Sequence, residues 1–272
     1  MPAPTQITPQ QLARLIGTPD CPILIDVCID EDFNKDPRII PGARRFVFGM
    51  IEDLVPELKG EKAIIICDKG LKISQGAAAL LRHHGIACET VQGGIVAWRE
   101  AGLPLIPAAK IPTQPEGSTL WVTRHRPKID RIACPWLIRR FIDPRAKFLF
   151  VAPSQVLNVA EKFNATPFDI EDCFWTHRED KCTFDTMIEE FALRIEPLQR
   201  LAIIVRGADT NRLDLAPEAA GLMAVSLGLS RMYRDDLNQL EAGIAIYDAF
   251  YRWARDASDE THSWPASGPK GA

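Results

Sequence analysis

Short, wholly apolar runs alternate with stretches of helical spacing in the first part of the chain. Residues 22–28 (PILIDVC) and 63–67 (AIIIC) read as buried strands. Between Ser74 and Arg82 the apolar residues Ala77, Ala78, Leu80 and Leu81 recur at helical spacing, and Gly85 ends that helix. Residues 86–91 (IACETV) predict a further strand, and Gly93-Gly94 a turn into a helix carrying Trp98. Strand–helix–strand order with uniformly apolar strands predicts an α/β fold, a parallel sheet with helices on both faces.

Residues 107–118 (PAAKIPTQPEGS) break every period and predict a linker between a first domain at 1–106 and a second at 119–256. The second opens with a strand at Leu120-Trp121-Val122. A helix is expected around 130–142, and because Pro135 suits a first turn, its start is placed at Cys134. Residues 200–206 (RLAIIVR) fit a strand or a helix. Two long helices follow at 217–229 and 233–255, with a break near Ser230, and Leu237, Leu240, Ile244, Tyr247, Phe250 and Tyr251 keep a 3.6-residue period. The expectation is a mainly helical α+β domain. Residues 257–272 read as a flexible tail.

Composition narrows the class. The chain has 272 residues, 46% hydrophobic and 25% charged, with a net charge of -4. That is ample for two modest cores and gives no general reason to bind nucleic acid. No apolar run reaches the roughly 20 residues that span a bilayer, so no membrane partner is expected. The opening MPAPTQITPQQLARL lacks the basic-then-apolar order of a signal peptide. The seven cysteines (21, 28, 67, 88, 134, 173 and 182) are scattered and include no CxxC pair. That usage favours a reducing compartment, hence the cytoplasm.

Cys67 ends an apolar strand and is followed by DKGLK and then a helix. This order places its sulfur at a helix N-terminus, where free amides and the helix dipole favour a thiolate. Gly70 permits the tight loop, and Lys69 and Lys72 offer positive charge to an anionic sulfur donor. On the local pattern alone, Cys67 also fits a buried structural cysteine.

The segments ILIDV, IPGARRF, IIICDKGLKISQGAAALLRHHGI and GGIVAWREAGLPL, in this order, resemble a single-domain rhodanese over residues 22–106. The resemblance implies sulfur transfer without a cofactor. Cys67 would be the nucleophile, and Asp68, Lys69, Gly70, Leu71, Lys72 and Ile73 would form the loop that cradles its persulfide. The partners would be an anionic sulfur donor and a thiol acceptor. Two positions depart from the family pattern. Cys28 stands where Arg is frequent, and Asp68 follows the nucleophile where many active members carry Arg. Asp68 should weaken capture of a dianion such as thiosulfate by about 1 kcal/mol if exposed. Cys28, at the C-terminal end of a parallel strand like Cys67, is a candidate resolving thiol. The alternative is an isolated buried cysteine.

In the second domain, residues 119–147 hold eight basic residues (Arg124, Arg126, Lys128, Arg131, Arg139, Arg140, Arg145, Lys147) against Asp130 and Asp143. Such a stretch suggests an anion site or a solvated helix face. No reading helix or aromatic RNA-binding pattern accompanies it. His125, Cys134, Asp169, His177, Cys182 and Asp185 are candidate ligands of a divalent metal, though no pair has strong ligand spacing. The segments WVTRHRPKIDRIACPWLIRRFIDPRAKFLFV, PFDI, HREDKCTFD, IVRGADT, APEAAGL and LEAGIAIYDAFYRWAR resemble a chromate-resistance (ChrB-type) C-terminal domain. The resemblance implies an association with chromate resistance or sensing. Its candidate anion or metal residues are Arg124, His125, Asp130, Arg131, Cys134, Arg139, His177, Cys182, Asp185, Arg206 and Asp209. Chromate, an oxyanion and a thiol oxidant, is a further candidate ligand. Two readings stay open: a sulfurtransferase or thiol-redox protein whose Cys67 persulfide is delivered toward the second domain, and a non-catalytic sensor or regulator that binds oxyanion or metal.

Overall fold

A computed structural model describes residues 5–112 and 117–260. The first half begins with strand β1 (Gln6–Ile7) and helix α1 (Pro9–Leu15). Thr8 caps α1 in a reciprocal capping box with Gln11, and Pro9 sits in the first turn, where its missing N–H costs nothing. Then come β2 (Ile23–Asp26), the short α2 (Asp30–Phe33), β3 (Arg38–Ile39), β4 (Ala43–Arg45), α3 (Val55–Leu58) and β5 (Lys62–Ile66). Helix α4 (Lys72–His83), β6 (Ala87–Val91), α5 (Gly94–Glu100) and β7 (Ile106–Pro107) complete it.

Five strands form one parallel sheet in the order β1-β6-β5-β2-β4. Ile64, Ile65 and Ile66 of β5 are all fully buried. Successive strand residues point to opposite faces, so both faces of this sheet are covered, as the uniformly apolar runs predict.

The second half contains β8 (Leu120–Arg124), α6 (Asp130–Leu137), β9 (Lys147–Val151), α7 (Val156–Phe163) and β10 (Thr166–Pro167). Helices α8 (Thr183–Glu190), α9 (Glu196–Asp209), α10 (Glu218–Met232) and α11 (Asp236–Asp256) follow. A small parallel sheet runs β10-β8-β9. Val122 faces α7 in a small apolar cluster, whereas Trp121 on the opposite face joins Phe168 and Trp175 in the main core. The domain is mainly helical with some strand. Among the described residues no helix is long and apolar enough to cross a membrane.

Several local expectations change. Helix α6 starts at Asp130, not Cys134, so Pro135 lies inside it. An internal proline costs about 3 kcal/mol. Here Ile132, Ala133, Cys134, Trp136 and Leu137 are all buried, and packing outweighs that cost. The turn that follows, Ile138–Ile142, widens into a π-helix. Residues 200–206 are helical, inside α9. The break expected near Ser230 falls at residues 233–235, where the Asp235 side chain accepts from Asn238 N at 2.8 Å and caps α11.

The stretch 107–118 is not a plain linker in its described part. β7 pairs antiparallel with β3, Ala108 N donates to Pro37 O at 3.0 Å, and Lys110 meets Glu190 at 2.5 Å. Residues 113–116 of that stretch lie outside the described residues, as do residues 261–272 of the expected tail. In place of two separate cores, one apolar cluster runs through both halves. At the junction Gly17, with φ at 82°, faces the rings of Phe141 and Tyr251, and any Cβ there would collide with Phe141. Nearby Gly42 N donates to Phe141 O at 2.5 Å and Arg255 Nη1 to Arg14 O at 2.8 Å.

These junction contacts share a position in the first half. Arg14 and Gly17 precede β2 and Gly42 precedes β4, so the second half docks at the N-terminal ends of the parallel strands. Cys28 and Cys67 follow the C-terminal ends of β2 and β5. A strand of this length spans roughly 13–17 Å. The two halves are thus arranged so that the Cys67 loop opens at the end of the sheet away from the junction.

Candidate functional site

Cys67 follows the last residue of β5, and α4 begins at Lys72. Lys69, Leu71 and Lys72 are exposed, Asp68 and Ile73 are half-buried, and Gly70 is buried. Two glycines close the loop. Gly70 (φ 65°) and Gly94 (φ 62°) lie against each other's backbone, and a Cβ on Gly94 would strike the carbonyls of Cys67 and Asp68. That closeness lets Ile95 N donate to Cys67 O at 3.1 Å and Val96 N to Asp68 O at 3.0 Å. Gln75 N donates to Leu71 O at 2.9 Å as the first amide to bond within the helix. The amides of Lys72, Ile73 and Ser74 are therefore free at the N-terminus.

The Cys67 thiol is 5% exposed and donates to Ser74 Oγ at 3.0 Å, while Ser74 Oγ donates to Leu71 O at 3.3 Å. Beside it, the buried Asp26 accepts from Cys28 N at 2.9 Å through Oδ1, and its Oδ2 has no hydrogen-bond partner. Burial pushes the Asp26 carboxyl up. Burial, followed by the nearby Asp26 carboxylate, pushes the Cys28 thiol far above its usual range. Arg45 donates to Cys28 O at 3.0 Å, pairs with Asp30 at 2.8 Å and lies over the Phe33 ring. Lys69 and Lys72 lie close enough to Asp32 to help hold its carboxyl low, after the dominant effect of Lys35. The loop's positive charge therefore faces acidic neighbours on α2.

A second cluster forms in the other half. His177 Nε2 lies 3.2 Å from Asp209 Oδ2, 3.4 Å from Asp169 Oδ1 and 3.5 Å from Asp130 Oδ2. Asp130 opens α6, Asp209 ends α9, and Asp169 follows β10. Asp130 is fully buried, and its Oδ2 accepts from the N-terminal amides of α8, Thr183 N at 2.6 Å and Phe184 N at 3.4 Å. Its Oδ1 has no partner. Burial, then the charges of Asp209 and Asp169, push the Asp130 carboxyl well up. Burial also pushes Asp169 up, but His177, Thr183, Arg131 and Arg124 together outweigh it and hold that carboxyl low. Hydrogen bonds with Asp169 and Asp209 raise the His177 imidazole to about 10. The residue before Asp130, Ile129, adopts φ 39° and ψ −98°, a costly setting for a β-branched side chain, and Tyr247 Oη donates to its carbonyl at 3.0 Å.

Family models match both halves. Residues 8–101 match the rhodanese-like domain, and residues 121–254 match "ChrB, C-terminal domain". The chain carries a rhodanese-like domain followed by a ChrB C-terminal domain. A curated relative, Protein ChrB of Cupriavidus metallidurans, is 36% identical over 142 residues, which is 52% of this chain and 42% of that protein. The chain thus spans less than half the length of that relative. Among solved structures, a Staphylococcus saprophyticus protein is 27% identical, covering 36% of this chain and 96% of that one, with a TM-score of 0.32. A thiosulfate sulfurtransferase from Pseudomonas aeruginosa is 26% identical over 38% of this chain and 19% of its own, also at 0.32.

Within the ChrB C-terminal domain the fold sorts the candidate residues. Arg124 and Arg131 reach Asp169 Oδ2, at 3.2 and 3.3 Å. Asp185 caps α8 by accepting from Cys182 N at 3.1 Å, and Arg206 lies 3.4 Å from it. Cys134 and Cys182 are fully buried, and burial followed by the Asp130 charge pushes both thiols well up. His125 is exposed and falls outside the cluster of Asp130, His177 and Asp209. Arg139 pairs with Glu241 at 2.6 Å over the Phe148 ring, and Arg140 pairs with Asp248 at 2.7 Å.

The basic run at 119–147 consequently does not gather into one anion patch. Arg124 and Arg131 converge on Asp169, Arg139 meets Glu241, Arg140 meets Asp248, and the Arg126 side chain bonds the carbonyls of Ser230 and Tyr233. Asp26, Arg45 and Ser74 are not among the residues that the sequence singles out. Ser74 carries a sequence signal, since it lies in the first turn of the helix that follows Cys67. Asp26 and Arg45 come together beside Cys28 only through strand pairing.

Proposed function

We propose that the rhodanese-like domain is a sulfur carrier in which Cys67 holds a persulfide, and that the fusion serves chromate or oxidant defence. The observation that supports this reading is the setting of Cys67. Its sulfur lies at the mouth of a helix N-terminus, 3.0 Å from a hydroxyl that can turn to stabilise it.

The chemistry balances without a cofactor. The Cys67 thiolate attacks the outer sulfur of a sulfane donor. A Cys67 S–S bond forms, the donor S–S bond breaks, and the leaving group departs with the electron pair, as sulfite if the donor is thiosulfate. An acceptor thiolate then attacks the outer sulfur of the persulfide and restores the Cys67 thiolate. Asp68 and the acidic α2 border this loop, so a singly charged persulfide is a better donor than the thiosulfate dianion. The acceptor approaches from solvent, because the ChrB C-terminal domain docks at the opposite end of the sheet. The link to chromate rests on the resemblance of that domain and on chromate being a thiol oxidant.

Intact-mass measurement after incubation with a sulfane donor tests the reading. Wild-type protein should gain ~32 Da on Cys67, and Cys67→Ser should gain nothing. Unchanged sulfur turnover in Cys67→Ser would remove Cys67 as the nucleophile.

A further inference from the structure

We infer that the ChrB C-terminal domain binds a first-row divalent cation through Asp130, His177 and Asp209.

The geometry is that of a ligand set. One ligand atom from each residue can be chosen so that all lie within 4.8 Å of one another. His177 Nε2 stands 3.2 Å from Asp209 Oδ2 and 3.5 Å from Asp130 Oδ2. Metal–ligand bonds of about 2.1 Å at tetrahedral or octahedral angles place neighbouring ligand atoms roughly 3.0–3.5 Å apart.

An independent observation also points to a bound cation. Asp130 is fully buried, its Oδ2 is held by the amides of Thr183 and Phe184, and its Oδ1 has no hydrogen-bond partner. Buried carboxylate oxygens are nearly always paired with a donor or a cation. This unpartnered oxygen belongs to the most deeply buried of the three residues.

Asp169 has a different part. Its Oδ1 accepts from Thr183 Oγ1 at 2.9 Å, and its Oδ2 faces Arg124 and Arg131. With those partners, and 3.4 Å from the same Nε2 that would bind the ion, it adds a fixed negative charge beside the site and is not a fourth ligand. The ligand atoms are one imidazole nitrogen and two carboxylate oxygens, which suits Mn²⁺, Fe²⁺ or Zn²⁺ rather than a thiol-seeking ion. The His177 side chain is 43% exposed, so the site opens to solvent on that side and leaves room for water or a small ligand.

The test uses the untagged full chain, stripped with chelator and titrated separately with Mn²⁺ and Zn²⁺ by calorimetry, with bound metal counted by elemental analysis. One equivalent of at least one ion should bind. Its affinity should fall at least about tenfold in His177→Ala and in Asp209→Asn, and stay unchanged in His125→Ala. Failure of both ions to bind the wild type, or undiminished binding in both ligand variants, overturns the assignment. Electron spin-echo spectroscopy of any Mn²⁺-loaded wild type covers the case of variants that do not fold. Nitrogen modulation from one histidine is expected, and its absence overturns the assignment.

Discussion

The Cys67 sulfur lies 3.0 Å from Ser74 Oγ, across the first turn of the helix that follows the thiol loop. In the protonated form the thiol donates to that hydroxyl, which donates in turn to the Leu71 carbonyl. On ionisation the hydroxyl can rotate and donate to sulfur. A hydrogen bond to a charged group contributes about 1.5–3 kcal/mol. Ser74→Ala should therefore slow persulfide formation by roughly tenfold or more, with the fold intact by circular dichroism. A loading rate equal to wild type in stopped-flow measurements would remove Ser74 from the reaction.

Gly94 sits at φ 62°, and a Cβ there would meet the carbonyls of Cys67 and Asp68. Alanine at this position must either push the loop outward or displace helix α5. Gly94→Ala should cost more than about 2 kcal/mol and abolish sulfur loading even where the variant stays folded. Urea unfolding and intact mass report the two effects separately, and wild-type behaviour in both would show that the loop tolerates the displacement.

Asp68 places a negative charge at the mouth of the loop. Replacing it with arginine reverses that charge. Asp68→Arg should raise kcat/KM for thiosulfate by roughly fivefold or more, about 1 kcal/mol or more, and the gain should shrink as ionic strength rises. A gain independent of salt would point to loop geometry rather than charge.

Asp248 holds two partners from the α6 segment. Oδ1 accepts from Trp136 Nε1 at 2.8 Å, and Arg140 binds both oxygens at 2.8 and 2.7 Å. Trp136 is fully buried. Asp248→Ala leaves a buried indole N–H and a mostly buried guanidinium unpaired, which should cost about 2–4 kcal/mol. Chemical denaturation checks this, and a loss below half a kilocalorie would mean that water replaces the carboxylate.

Glu190 ties the segment after β7 to α8. Lys110, then Arg178, hold its carboxyl below the usual range. A depressed folded value means that this contribution is fully present above the unfolded value of about 4.3 and is lost as pH falls through the folded value. The stability difference between wild type and Glu190→Gln should thus be constant from neutral pH down to about pH 5 and vanish in acid. Denaturation across a pH series measures it, and a difference that persists in strong acid would exclude the ion pairs as its source.

How much the sequence carried depends on how far apart the cooperating residues lie. Cys67, its loop and helix α4 are contiguous, so apolar runs, a glycine and a helical period are enough to read them. The same local logic misplaced the start of α6, because the burial of Trp136 and Leu137 against distant helices outweighs what Pro135 prefers.

The cluster around His177 was legible only as separate candidate residues. Asp130 and Asp209 stand 79 positions apart and Asp169 lies between them, on elements joined by no common period. By itself the sequence determined the parallel α/β sheet, the placement of the Cys67 thiol at a helix N-terminus and the presence of a second, mainly helical half, since strand and helix periods are local properties of the chain. Tertiary structure decided that the thiol loop faces away from the domain junction, that arginines of 119–147 are tied to acids and carbonyls far along the chain, and that three distant carboxylates meet one imidazole. Those outcomes follow from packing among elements far apart in the chain, which side-chain spacing within any one element does not encode.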